Sequence, residues 1–313
     1  MCIRKQGVAR TDDASLAISR RQFVAAAGGG ALALATADAA TQPAPAPISP
    51  SRRLIDTNVS LFRWPFRRLP CDETPRLVDK LQTAGVGCAW AGSLEGLFHK
   101  DLRSANARLA VECRQAGQVK LIPFGSINPK LPGWQEDLRV CVEEHKMPGV
   151  RLHPNYHGYR LDEPAFAEVM SLATERRLVV QIVMHMEDER MMHPLIRVEP
   201  VKINPLAALL PRWKQTPVVL VNALNVLSSD QVAELLAANN VYAEIAMLEG
   251  IGGLDRLLTT APHSQILFGS HAPLYYFESA ALKLEESTLG AAARNAICFG
   301  NAKRLVPLPG DNA

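Results

Sequence analysis

The chain has 313 residues, with 34 lysine or arginine and 31 aspartate or glutamate residues, so its formal net charge at pH 7 is only +3. A balance so close to neutral argues against nucleic acid or an anionic membrane as the partner. The length suits one barrel domain of about 250 residues preceded by a short extra segment.

The N-terminal segment is predicted to be a twin-arginine export signal. Arg20 and Arg21 precede an uncharged run rich in alanine and glycine, and Ala37-Asp38-Ala39 resembles a cleavage site. The apolar run is too short to span a bilayer of roughly 30 Å comfortably, so we expect no membrane association of the mature form. We assign residues 1–39 to the signal and 40–52 to a proline-rich linker, and we expect a periplasmic or secreted protein.

A single-domain α/β fold, a (β/α)8 barrel, is predicted over residues 53–307, followed by a tail of residues 308–313. Short apolar runs alternate with helical patterns, and each run ends in polar residues. The predicted strands are 54–60, 86–91, 119–127, 149–154, 178–184, 217–221, 241–247 and a strand from Ile266 to the break Gly-Ser-His-Ala-Pro. The predicted helices are 73–84, 102–116, 135–144, 163–176, 204–210, 231–238, 253–258, 279–289 and 291–299.

Polar residues on the inner faces and at the carboxyl ends of these strands are the candidate site, because function in such barrels lies there. The period of two puts Leu54, Asp56, Asn58 and Ser60 on one inward face of the first strand. Glu244 points inward from the seventh strand together with Tyr242. The fifth and sixth strands end at His185 and Asn222, and His271 follows the eighth.

Arg151 and His153 share a face of the fourth predicted strand. One interpretation is an anion site in which Arg151 holds a substrate carboxylate in a bidentate fork. The other is a buried ion pair of Arg151 with Glu244 or Asp56, because inward charges need partners. The carboxylates of residues 187–189 fit a solvated loop.

These segments resemble the amidohydrolase-related family of the metal-dependent hydrolase superfamily over roughly residues 53–306. The resemblance implies a TIM barrel enzyme that hydrolyses a C–N or C–O bond of a small carboxylated molecule, or decarboxylates it. It is carried by Leu54-Ile-Asp56, Phe124-Gly-Ser-Ile-Asn-Pro129, Gly149-Val-Arg-Leu-His-Pro154, residues 181–185, Ile266-Leu-Phe-Gly-Ser270 with Pro273, and Gly300-Asn-Ala-Lys-Arg-Leu305.

The sequence departs from this family at the positions where the resemblance implies metal ligands. Asn58 and Ser60 stand in the place of two histidines, and only His185 matches an expected ligand. Asn222 replaces another histidine, and His271 replaces an aspartate. Arg151 cannot form the lysine carbamate that bridges two metals, which argues against a binuclear centre.

Two versions of the chemistry remain open. In one, His185, His271 and Asp56 hold a single divalent metal, zinc or manganese, that activates a water molecule. In the other, no metal takes part, and His271 or His185 is a general base oriented by Asp56 or Glu244. We prefer a site that is metal-free or that binds a metal only weakly. Substrate binding is assigned to Asn58, Arg151, His153 and Asn222.

A ligand-binding barrel that has lost catalysis is the alternative from another functional class. It predicts that ligand affinity survives the replacement of both His185 and His271. A sugar-isomerase-like barrel is disfavoured because too few carboxylates lie at the strand ends for two divalent ions. The sequence leaves a homo-oligomer possible and does not identify the substrate.

Overall fold

A computed structural model describes residues 54–308, so the predicted signal, the predicted linker and residues 309–313 lie outside the described residues. Eight parallel strands form one sheet in the order of the chain. The strands are β1 (Leu54–Leu61), β2 (Val86–Ser93), β3 (Lys120–Ser126), β4 (Gly149–Leu152), β5 (Val179–Val183), β6 (Val218–Val221), β7 (Val241–Glu244) and β8 (Ile266–Leu267).

The sheet closes into a barrel between β1 and the residues that follow β8. Backbone hydrogen bonds run from Thr57 N to Phe268 O at 2.9 Å and from His271 N to Asn58 O at 2.8 Å. Each strand is followed by a crossover to its parallel neighbour, as the alternation of apolar runs and helical patterns predicts. The predicted (β/α)8 barrel is therefore confirmed.

Helices cover the outside of the barrel. Pro75 and Pro164 occupy first-turn positions of their helices, where no backbone N–H is needed. The α-helices are α1 (Thr74–Thr83), α2 (Leu102–Gln115), α3 (Trp134–Glu143), α4 (Pro154–His157), α5 (Pro164–Glu175), α6 (Asn204–Leu209), α7 (Ser229–Leu236), α8 (Gly253–Leu257), α9 (Phe277–Glu285), α10 (Ala291–Asn295) and α11 (Asn301–Leu305). No helix among the described residues is both long and apolar enough to cross a membrane.

Alternation along the strands divides the core into two layers. On β5, Val180 and Ile182 pack outward against the helices, whereas Val179 and Val183 pack inside the barrel. On β7, Tyr242 joins the inner layer and Ala243 the outer layer, as the sequence predicts. A polar residue at the same alternate positions as the inner apolar residues therefore also points into the barrel.

Strand β1 departs from the predicted alternation. Leu54 packs in the outer layer and Ile55 in the inner layer, so the prediction that Leu54 faces inward is wrong. The reason is irregular pairing with β2, whose register shifts between Leu54 and Ile55 and again between Asp56 and Val59. Strand β4 also ends earlier than predicted, at Leu152, and His153 precedes the short helix α4.

Candidate active site

The ends of the strands bring most of the predicted polar residues into one buried group at the carboxyl end of the barrel. Asn58 comes from β1, and Glu244 is the last residue of β7. Asn222 follows β6 directly, and the loops after β5 and β8 supply His185 and His271. Their exposure ranges from 0% for Asn222 to 4% for His185. Hydrogen bonds described below link all five residues.

Asp56 has one paired and one unpaired carboxylate oxygen. Its Oδ1 accepts hydrogen bonds from the backbone N–H of Asn58 at 3.1 Å and of Ser270 at 3.0 Å. Its Oδ2 is buried and has no hydrogen-bond partner among residues 54–308. Burial raises the pKa of Asp56 from 3.8 to about 7, although the bonds from Ser270 and Asn58 oppose the shift. Asp56 can therefore gain or lose a proton near neutral pH.

Glu244, Asn58 and Asn222 form a network that we call the amide clamp. Asn58 Nδ2 donates to Asn222 Oδ1 at 2.8 Å and to Glu244 Oε1 at 3.3 Å. Glu244 also accepts from the backbone N–H groups of Asn222 and Ala246, both at 2.6 Å. Burial raises the pKa of Glu244, whereas these backbone bonds favour its charged form.

The His271 side chain is held as a neutral imidazole. Its Nε2 lies 2.8 Å from Met186 O, so this nitrogen carries the proton and donates, and Nδ1 is left as the acceptor facing Asn222 Nδ2 at 3.4 Å. Burial lowers the pKa of His271 to about 3. A base that weak is far from the optimum for proton abstraction near neutral pH.

His185 lies beside the amide clamp but turns its ring nitrogen to another partner. Its backbone carbonyl accepts from Asn222 Nδ2 at 2.8 Å, and its Nε2 lies 2.9 Å from Asn225 Oδ1. Burial lowers the pKa of His185. Among the hydrogen bonds of the described chain, none joins His185 or His271 to Asp56 or Glu244. The predicted pairing of a histidine base with an orienting carboxylate is therefore not formed.

Arg151 makes neither of the two predicted interactions. Its guanidinium is 2% exposed and donates to five neutral oxygen atoms, which belong to Gln181, Val59, Ser60, Thr57 and Trp90. The closest are Gln181 Oε1 at 2.7 Å and Val59 O at 2.8 Å. Burial lowers its pKa to about 10, and Glu244 and Asp56 oppose that shift only from a distance. Because all five N–H groups of its guanidinium donate to protein oxygens, Arg151 links strands across the barrel and has no N–H pair left to bind a substrate carboxylate.

His153 keeps one ring nitrogen without a hydrogen-bond partner among residues 54–308. This nitrogen is the buried Nδ1, and the residue is 1% exposed. Burial lowers its pKa well below the ordinary value, with smaller contributions from His157 and Arg151. The same lack of a partner holds for Trp64 Nε1. Buried polar atoms without partners mark positions where a ligand or water can bind.

Two loops and a group of aromatic rings cover this end of the barrel. Arg67, in the loop after β1, forms an ion pair with Glu187, which follows β5 and is 1% exposed. The prediction of a solvated loop is therefore wrong for Glu187. The aromatic group consists of rings in contact at centroid distances of 5.4 to 5.8 Å, namely Trp64, Phe66, Phe98, Tyr156 and His193.

A comparison with family models decides the family. The amidohydrolase model matches residues 92–308, which is more than half of the chain. The chain belongs to the amidohydrolase family. The resemblance inferred from its motifs is thereby confirmed. A search of curated proteins found no significant match.

Solved structures share the amidohydrolase barrel at identities so low that the similarity shows the fold alone. The 5-carboxyvanillate decarboxylase of Sphingomonas paucimobilis gives a TM-score of 0.66 at 13% identity, over 82% of this chain and 99% of its own. A 2,6-dihydroxybenzoate decarboxylase from Rhizobium gives 0.61 at 13%, over 81% and 98%. A dihydroxybenzoic acid decarboxylase from Polaromonas, with bound manganese and the inhibitor 2-nitroresorcinol, gives 0.63 at 14%, over 81% and 96%.

The side chains of this amidohydrolase do not fit the divalent metal that the family resemblance implies. Within residues 54–308, no three His, Cys, Asp or Glu side chains are grouped so as to hold an ion. The Nε2 atoms of His185 and His271 already bond to protein oxygens. The predicted metal set of His185, His271 and Asp56 is therefore not assembled, since zinc at a catalytic site needs about three such protein ligands.

Several residues that shape the site were missed from sequence. Gln181 accepts a hydrogen bond from Arg151 through its side-chain oxygen and donates its amide N–H to Thr57 O at 2.8 Å. Asn225 is the hydrogen-bond partner of the His185 ring. Gln181 lies between the inner residues of β5, so a polar residue in an apolar strand was an available signal. The Arg67–Glu187 pair joins residues 120 positions apart and left no local signal in the chain.

Proposed function

We propose that this amidohydrolase is an enzyme that cleaves a bond of a small carboxylated molecule by acid–base chemistry at Asp56. The observation that carries the proposal is the state of that carboxyl group. One oxygen is held by two backbone N–H groups, the other has no partner among residues 54–308, and burial brings the pKa to about 7. A group that titrates near the working pH is suited to both halves of a proton-transfer cycle.

Decarboxylation of an aromatic acid is the reaction that we infer first. In this step the proton on Asp56 adds to the ring carbon that bears the carboxylate and forms a C–H bond with two π electrons of the ring. The C–C bond to the carboxylate then breaks, its electron pair restores the aromatic π system, and CO₂ leaves. Asp56 then takes a proton from solvent. Hydrolysis of a C–N or C–O bond is the second reaction. Asp56 removes a proton from water, the water oxygen bonds to the carbonyl carbon, and Asp56 passes the proton to the leaving nitrogen or oxygen as the C–N or C–O bond breaks.

An aromatic acid as substrate is supported by two observations. Three structural neighbours are decarboxylases whose names specify carboxylated aromatic compounds. The cover of the site in this chain contains the aromatic group of Trp64, Phe66, Phe98, Tyr156 and His193, which can contact a planar ring. Trp64 Nε1 and His153 Nδ1 supply polar atoms for the substituents of that ring.

A ligand-binding barrel without catalysis is the second candidate, and the pairing of the amide and guanidinium donors favours it. Asn58, Asn222 and Arg151 were predicted to bind substrate, yet each gives its N–H groups to protein acceptors. A site so fully paired binds a ligand only through the remaining free atoms or after rearrangement.

A substrate panel separates the candidates. The full chain is incubated with hydroxybenzoates, aminobenzoates, benzamides and phenyl esters, and CO₂, amine and phenol release are followed. The enzyme proposal expects turnover of at least one compound and its loss in a folded Asp56→Asn variant, whereas His99→Ala, at an exposed position, keeps it. Binding of a panel compound that survives His185→Ala and His271→Ala, without any turnover, supports the binding barrel and contradicts the enzyme.

We also propose that the protein works after export through the twin-arginine pathway, on the evidence of Arg20, Arg21 and the apolar run after them. Its partner is a small molecule, and the near-neutral charge argues against nucleic acid.

A further inference from the structure

Two of the three residues of the amide clamp occupy sequence positions at which the family resemblance implies metal ligands. Asn58 and Asn222 stand at two of these positions and are joined directly by the 2.8 Å bond between their side chains. Glu244 bonds to the Asn58 side chain and to the backbone N–H of Asn222. All three residues are no more than 1% exposed. The clamp is thus a closed hydrogen-bond network inside the barrel.

The Asn222 amino group is the electropositive group at the centre of this arrangement. Its Nδ2 lies 2.8 Å from the carbonyl oxygen of His185 and 3.3 to 3.4 Å from the two ring nitrogens of His271. An amide N–H is a hydrogen-bond donor with partial positive charge, so it satisfies lone pairs that could otherwise face a cation. The same group would repel a divalent ion placed beside it.

The clamp also leaves little space against the neighbouring strand. A Cβ atom built on Gly269 would lie 2.3 Å from Glu244 Oε2 and 3.0 Å from Asn58 Cβ. The backbone after β8 therefore approaches the carboxylate as closely as a glycine permits. An ion with a shell of about six oxygen ligands, or four nitrogen or oxygen ligands, would have to displace part of this packing.

We propose that the amide clamp takes the place of a metal centre in this amidohydrolase, with the Asn222 amino group holding the position of the cation, and that the chain therefore functions without a divalent ion. The inference concerns the same site as the proposed function but rests on the contacts of Asn58, Asn222 and Glu244, not on the titration of Asp56. It makes Asn222 the residue that excludes the metal.

Metal content tests the inference without any substrate. The full chain is purified without chelator, loaded with excess Mn²⁺ or Zn²⁺, and desalted. Its metal content is measured by inductively coupled plasma mass spectrometry, and its Tm by thermal unfolding. The inference expects fewer than about 0.1 ions per chain and no metal-dependent change in Tm. A chain that retains close to one ion, and loses both the ion and several degrees of Tm in EDTA, overturns it.

Two variants test the role assigned to Asn222. Asn222→Asp keeps the size of the side chain but replaces the amino group with a carboxylate oxygen next to His271, and we expect it to gain a rise in Tm with Mn²⁺ or Zn²⁺. The triple variant Asn58→His, Asn222→His, His271→Asp is expected to retain about one ion per chain. Asn239→His adds a histidine at an exposed position and is expected to gain nothing.

The outcomes separate this inference from the proposed function. Folded Asn222→Asp and triple variants that bind no more metal than the parent chain contradict the role of Asn222. A metal-free parent chain that turns over no compound of the panel contradicts the proposed function and leaves the inference standing. A parent chain that retains metal and turns over a compound contradicts the inference and leaves the proposed function standing.

Discussion

Two buried acids in the same site differ in how their charge is compensated. Glu244 has hydrogen-bond donors on both oxygens, at 2.6 Å from the backbone of Asn222 and Ala246. Asp56 has donors on Oδ1 alone, and its Oδ2 lacks a partner among residues 54–308. We therefore assign proton transfer to Asp56 and a structural role to Glu244, although the sequence suggested similar roles for both.

Asp56→Asn should stabilise the protein more at pH 8 than at pH 5. The pKa of Asp56 is about 7 in the fold and 3.8 in its ordinary state, so the folded chain holds a proton that the unfolded chain releases. Stability is then lost as pH rises from about 4 to about 7, by a few kcal/mol at about 1.4 kcal/mol per pKa unit. The asparagine variant lacks this loss.

Thermal or urea unfolding of both chains at pH 5 and pH 8 checks this prediction. Asp79→Asn, at an exposed position, is the matched control and should show the same pH dependence as the parent chain. An advantage of Asp56→Asn that is equal at the two pH values would contradict the raised pKa.

At the residue scale, sequence predicted which positions carry polar groups but not how those groups pair. Asp56, Asn58, His185, Asn222, Glu244 and His271 are all buried at the carboxyl end of the barrel. Their partners depend on the irregular register of β1 and on loop residues such as Met186 and Asn225. Neither feature has a local pattern in the chain. The same holds for Arg151, whose guanidinium bonds to the side chains of Gln181 and Ser60 and to backbone carbonyls and does not present a fork to a substrate.

The strands and helices were largely predictable because most strands, such as β5 and β6, are apolar runs with a clear stop. The exception is β8, which is only Ile266–Leu267, since the following residues bond to β1 in an irregular path. The left-handed backbone at His271, with φ of 59°, turns the chain there. Such a turn is uncommon for a residue other than glycine and is not readable from an apolar run.

Gly92→Ala on β2 should destabilise the barrel by about 1 to 3 kcal/mol because of overpacking. A Cβ at this position would lie 2.6 Å from Arg151 Nη1 and 2.7 Å from its Cδ. Arg151 cannot move aside cheaply, since its guanidinium is bonded to oxygen atoms of three strands. Urea unfolding checks the change, with Gly290→Ala as control, because nothing lies within 4 Å of a Cβ there. If the two substitutions lowered the free energy of unfolding equally, the Arg151 side chain would not be held rigidly by its hydrogen bonds.

The loops after β1 and β5 should open more often in Arg67→Ala. Glu187 is 1% exposed and its ion pair with Arg67 joins the two loops, so the variant leaves a buried carboxylate without its partner. Hydrogen exchange of residues 185–199 should become faster and Tm should fall. Arg190→Ala, whose arginine is 85% exposed in the same loop, is the control and should change neither. Unchanged exchange in Arg67→Ala would show that other contacts hold the cover.

At the scale of the whole molecule, the barrel and the family were predicted from the order of strand-like and helix-like segments and from the motifs within them. The export signal in residues 1–39 is still a prediction. Replacement of Arg20 and Arg21 by lysine should remove the protein from the periplasmic fraction, because the twin-arginine pathway reads that pair. Fractionation and immunoblotting of cells that express the parent and variant chains check this result. Equal periplasmic amounts would exclude the pathway.

The most direct test of the account compares Asp56→Asn with the parent chain on a compound that the substrate panel finds, in buffer with EDTA. If Asp56 supplies the proton and no divalent ion is needed, EDTA leaves the parent rate unchanged, and the variant loses at least about 100-fold in kcat while it remains folded. A variant that turns over the compound at the parent rate would contradict the account.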